Sequence, residues 1–212
     1  MAHNWFGIHD GLAAAGRIPA MTRDRERISA YEIALLILCG AGAAAASGLM
    51  RLGLRFPGHS IVLSMIPMAL GFALAPRKLS GFMMSAGAFS TACIFSVARV
   101  ADYGSGAFVS LCLLGPIMDL AFAKFRSGWR LYFGLIVAGI CTNLLAFTSR
   151  SASKLLGLDV AGITRPFDTW WSQAIITYIL SGAIAGLIAA ICFFHLRNQR
   201  SRLETADSGM HS

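Results

Sequence analysis

Two adjacent tryptophans, Trp170 and Trp171, are followed by Ser172 and Gln173 and preceded by Arg165-Pro166-Phe167-Asp168, at the end of the longest connection in the chain. Indole faces can close over a flat ligand, the Gln173 amide can donate and accept, and Arg165 or Lys154 can pair an acidic group. The same string also suits an aromatic belt at a membrane boundary. A second group, Arg55-Phe56-Pro57-Gly58-His59-Ser60, joins a cation and an imidazole to a sharp turn and a helix start. Tyr103, within Asp102-Tyr103-Gly104, and Asn143, a polar residue in a strongly apolar run, complete the candidate binding set of Arg55, His59, Tyr103, Asn143, Arg165, Trp170, Trp171 and Gln173. Six basic residues stand on this side against Asp102, Asp159 and Asp168, which favours a small anionic or carboxylated solute.

Other chemistry is excluded or poorly supported. There is no GxSxG, no HExxH and no Walker motif, and no two carboxylates share a run in a way that suggests acid and base work, so no catalytic residue and no cofactor is assigned. The five cysteines, Cys39, Cys93, Cys112, Cys141 and Cys192, show no CxxC or CxxH spacing and read as small apolar packing groups; no metal ligands are assigned.

The elements that must position these residues are long apolar runs. Six have about the 20 residues that a helix needs to cross a hydrocarbon layer: Ile28–Met50, Phe56–Ala75, Leu79–Val97, Gly106–Ala123, Leu131–Thr148 and Trp170–Leu196. Hydrophobic residues make up 56% of the 212, and only 13% are charged, so the chain reads as an all-α integral membrane protein, a six-transmembrane-helix bundle. Of its 18 Lys and Arg, twelve fall in one alternating set of gaps (Arg17, Arg23, Arg25, Arg27; Arg77, Lys78; Lys124, Arg126, Arg130; Arg197, Arg200, Arg202) and six in the other (Arg51, Arg55; Arg99; Arg150, Lys154, Arg165). That asymmetry predicts a multi-pass protein of the cell's inner (plasma) membrane with both termini cytoplasmic. Because the charge is spread over all the connections, it does not indicate a nucleic acid partner. Residues 1–27 form a cytoplasmic lead with room for a surface helix near Arg23–Arg27, residues 28–196 the membrane domain, and residues 197–212 a polar cytoplasmic tail that reads as unstructured from Asn198.

Three further features lie inside the runs. Gly40/Ala44/Gly48 and Ala41/Ala45 put small side chains at four-residue spacing on the first, where another backbone can approach closely, either a helix of the same chain or a second membrane protein. Pro67 should kink the second. Asp119, about one turn from the cytoplasmic end of the fourth, should be paired or turned inward, and ion pairing with Lys124 and Arg126 is the simpler account. The first three runs share no motif with the last three, so an inverted-repeat transporter is disfavoured.

Six spans in about 200 residues, cytoplasmic ends, the small-residue strip of the first helix and an outer loop leading to Pro57-Gly58-His59 resemble the substrate-binding S components of energy-coupling factor (ECF) transporters. The resemblance runs from Ile28 to Leu196 and rests on architecture more than on a diagnostic string. It implies a six-helix fold that binds a vitamin, a precursor or a metal ion at the outer side. It further implies docking through Gly40, Ala41, Ala44, Ala45 and Gly48 onto a transmembrane coupling subunit driven by two ATPases, with Arg51–His59 capping the solute. Metal-binding members carry a histidine directly after the initiator Met at an outward N-terminus; His3 is one place further on and on the expected cytoplasmic side, so a metal cargo is not implied. No string assigns riboflavin, biotin, thiamine or folate. The rival readings are a membrane-embedded enzyme acting on lipid or isoprenoid substrates through Asp119 and His59, and a non-catalytic membrane assembly partner.

Overall fold

The computed structural model describes residues 29–50, 60–125, 128–156 and 167–210, with the backbone alone at 167–170, 198 and 200–210. These residues form six helices: α1 (Ala30–Leu49), α2 (Ser60–Leu74), α3 (Ser80–Val97), α4 (Ser105–Lys124), α5 (Gly128–Leu155) and α6 (Phe167–Met210). Five contain stretches long and apolar enough to cross a membrane, in α6 the segment Trp171–Arg197. The helix within the expected second span differs. Its 15 described residues extend about 22 Å at 1.5 Å per residue, short of the hydrocarbon thickness, and residues 56–59 of the expected run lie outside the described residues. Pro67 sits inside α2 without ending it.

Side-chain contacts fix the directions. Glu32 meets Arg77, Cys39 meets Gly71 and Gly42 meets Pro67, so α1 and α2 are antiparallel. Gly81 meets Gly115 and Phe89 meets Phe108, making α3 and α4 antiparallel; Phe125 against Gly134 and Gly106 against Ala146 do the same for α4 and α5, and Gly139 against Gly182 for α5 and α6. The helices therefore alternate, short α2 included, and the start of α1 lies at the same end of the bundle as the close of the α6 span. Packing runs around a closed ring in the order α1, α2, α6, α5, α4, α3 and back to α1.

Glycine sets the closeness of the seams. A Cβ on Gly81 or Gly115 would strike the other's carbonyl, and one on Gly139 or Gly186 would strike backbone across the α5–α6 seam. With lipid on the outside, dispersion between closely approaching backbones replaces the hydrophobic effect as the force joining helices, and only small residues permit that approach. The core behind these crossings is filled by Leu36, Met65, Met68, Met84, Leu114, Met118 and Leu135, all fully buried.

One departure from the sequence reading concerns the tail. Instead of becoming unstructured at Asn198, α6 continues to Met210, 44 residues in all and about 66 Å long, roughly twice the hydrocarbon thickness. Helical hydrogen bonding propagates from a turn already fixed by the membrane segment, so no new nucleus is needed.

Candidate functional site

At one end of the bundle, α5 and α6 carry a polar and aromatic stripe. Asn143 is 2% exposed, and its amide nitrogen donates to the Tyr178 carbonyl at 2.7 Å and the Ser181 hydroxyl at 2.8 Å. One turn on, Phe147 meets the Tyr178 ring with centroids 5.3 Å apart and shares a small buried cluster with Ala146 and Ala174. Another turn takes α5 to Ser151, and the register set by Asn143/Tyr178 places it level with Trp170 at the start of α6. Ser151 is 9% exposed and its hydroxyl has no hydrogen-bond partner among the described residues; the hydroxyl of Ser96, in the last turn of α3 at this end, is likewise buried and without a partner among them. Native interiors seldom leave a buried polar atom without a partner, so such atoms call for an explanation. Trp171 and Gln173 are exposed on the first turns of α6.

Tyr103 lies at the same end on the opposite side of the ring. Its hydroxyl donates to the Ala44 carbonyl at 2.8 Å, and its ring packs on Gly48 and tilts against Phe108 at 5.7 Å. A Cβ on Gly48 would collide with the phenol, so that glycine is required by the contact. Burial pushes the Tyr103 phenol above its ordinary value, which keeps it protonated and donating. Of the binding set, Asn143 bonds α6 at Tyr178 and Ser181, five and more residues inward of Trp170, Trp171 and Gln173, and Tyr103 is tied to α1. Arg55, His59 and Arg165 lie outside the described residues.

The first helix divides the small-residue strip between two faces. Gly40 lies against the backbone of Met84 and Ala88 in α3, Ala44 is fully buried, and Gly48 faces Tyr103. Ala41 and Ala45 are only partly buried and join exposed Ala34, Leu38, Gly42 and Leu49 on the outward side of α1, the least enclosed of the five long spans. Three of the five expected docking residues are thus occupied by the chain's own helices, because a 100° step per residue separates positions 40 and 44 from 41 and 45.

Asp119 is engaged otherwise than the sequence suggested. Its two carboxylate oxygens accept from the amides of Gly81 at 3.0 Å and Phe82 at 2.8 Å, capping the start of α3 from a neighbouring helix. The N-cap residue of α3 is Leu79, in the left-handed region at φ 65°, which offers no side-chain acceptor. A carboxylate held against uncapped amides is stabilised by both the hydrogen bonds and the helix dipole. Among the described residues Asp119 makes no ion pair, and Arg126 lies outside them. The absence of a capping side chain at Leu79 was the available signal; the Ser151 stripe was readable as the four-residue spacing Asn143, Phe147, Ser151.

No protein-family model matches the chain. Neither a curated protein nor a solved structure is similar to it at a significant level. Among the described residues no group of three or more His, Cys, Asp or Glu is placed to hold a metal ion.

Proposed function

We propose that this chain is the solute-binding membrane subunit of an ECF-type importer, taking up a small vitamin-like or otherwise anionic solute at the Tyr103 end of the bundle. The observation that carries the reading is the contrast in polar satisfaction along the membrane axis. Among the described residues, the buried side-chain polar groups at the Arg77 end have partners, while at the Tyr103 end two buried hydroxyls have none, and Ser151 lies level with the turn bearing Trp170, Trp171 and Gln173. Spare donors at the mouth of a bundle, near the exposed Trp171, suit a ligand that supplies acceptors. The excess of Lys and Arg in the connections that include Arg77 supports a cytoplasmic reading of that end, with the binding end outside the plasma membrane. Docking onto a coupling subunit falls to Ala41 and Ala45, on the outward face of α1.

The test is purification of the full chain in mild detergent with mass spectrometry of retained small molecules, together with co-purification of candidate membrane partners. The reading expects a carboxylated or phosphorylated solute that is lost in Trp171→Ala, and a partner lost in Ala41→Leu/Ala45→Leu with the solute kept. Retention of a lipid or isoprenoid product instead of a soluble solute would overturn it in favour of the enzyme.

A further inference from the structure

The α4–α5 hairpin presents a second surface, at the opposite end of the bundle from the solute site and independent of it. Lys124 closes α4, and Trp129 and Arg130 open α5. Both cations are exposed, and among the described residues neither is in an ion pair. The Arg130 guanidinium lies over the Trp129 ring, 5.9 Å from its centroid, and Trp129 is itself 65% exposed. Stacking occupies the face of a guanidinium and leaves its in-plane N–H groups available for an anion.

Apolar side chains continue this surface toward the membrane interior. Leu120, one turn before Lys124, is 66% exposed, and Phe133, one turn after Trp129, is 55% exposed. The antiparallel register that sets Gly106 against Ala146 brings these two to about one level, with exposed Cys112 and Cys141 further along. Two cations and an indole at the helix ends therefore adjoin exposed apolar side chains on both helices. That arrangement matches an anionic phospholipid, whose phosphate sits at the membrane surface above its acyl chains.

We infer that Lys124, Trp129 and Arg130 form a headgroup site for an anionic phospholipid whose acyl chain lies along Leu120 and Phe133. The occupant is a lipid and not a free phosphate, because half of the surface is apolar and faces the bilayer. A basic residue at a membrane surface contributes roughly fivefold to the binding of an anionic lipid, and the pair on the order of twentyfold.

Native mass spectrometry of the full-length protein, titrated with phosphatidylglycerol, phosphatidylcholine and inorganic phosphate, tests this. Phosphatidylglycerol should be retained about tenfold or more over phosphatidylcholine, with inorganic phosphate failing to displace it. Lys124→Gln/Arg130→Gln should abolish the preference, Lys124→Arg/Arg130→Lys should keep it, and Arg99→Gln/Arg150→Gln, removing equal charge at the other end, should leave it unchanged. Equal retention of the two lipids, or displacement by inorganic phosphate, overturns the inference. So does a preference that survives the first pair of substitutions, or one that falls equally with the distant pair. The solute site plays no part in these readouts, so loss of the importer reading would leave them unaltered.

Discussion

The two ends of the bundle solve the same problem, how to finish helices in a membrane, in different ways. At the Arg77 end, Ser29 and Glu32 form a capping box on α1, and Glu32 reaches Arg77 in the α2–α3 turn at 3.1 Å. There Ser80 donates to the Ala75 carbonyl and accepts from the Arg77 amide, and Asp119 caps α3. Aromatic rings bind this end laterally: Phe72 stacks on Phe122 at 4.4 Å, Phe122 meets Phe193 at 4.9 Å, and Tyr132 stacks on Phe194 at 4.8 Å, joining α2, α4, α6 and α5. At the Tyr103 end, one phenol bridges to α1, Ser153 bonds Ser105 at 2.9 Å, and the hydroxyls of Ser96 and Ser151 have no partner among the described residues. One end is closely tied; the other leaves two buried hydroxyls without partners among the described residues, which costs stability.

Substitutions at each end sharpen this contrast. Asp119→Ala removes the acceptor from two amides at once and should cost about 2–3 kcal/mol, read as a large fall in the melting temperature of the detergent-solubilised protein. Solute retained per folded molecule should not change. A loss of solute binding at unchanged stability would instead give Asp119 a direct role. Tyr103→Phe keeps the ring on Gly48 and Phe108 and loses one hydrogen bond to a backbone carbonyl, for about 1 kcal/mol; a change below the error of the melt would mean that the α3–α4 connection is held by packing alone. The smallest effect on stability belongs to Ser151→Ala, within about 0.5 kcal/mol of none, because the hydroxyl has no partner among the described residues to lose. Solute retention should nevertheless fall severalfold. Stability lost with retention intact would remove the basis for treating the two ends differently.

Much of the fold was legible because the bilayer permits few solutions. The runs beginning at Ile28, Leu79, Gly106, Leu131 and Trp170 emerge as helices that start within three residues of their expected starts, since a backbone in hydrocarbon must satisfy its own hydrogen bonds. The second run is shorter in the described residues, and the tail is longer in helix, because local composition near a span end does not report how far hydrogen bonding propagates. The candidate site was legible in part. Asn143 was visible as a polar residue in an apolar run, but its role as a bridge to Tyr178 and Ser181 depends on the rotation of α5 about its axis. Ser151 carries no signal of its own in the sequence, because a serine near a helix end is ordinary and only its burial sets it apart.

What the amino-acid order determined by itself was the class and the number of helical segments, along with the basic bias of alternate connections, since these follow from apolar length and charge, which need no neighbour to be read. What the tertiary structure alone decided was which helices touch. Gly40 and Ala44 turn inward while Ala41 and Ala45 stay outward, and Asp119 finds the amides of Gly81 and Phe82 across a glycine crossing instead of a lysine one turn away. Partner choice across a seam depends on register and rotation, and those are fixed only when whole helices pack together.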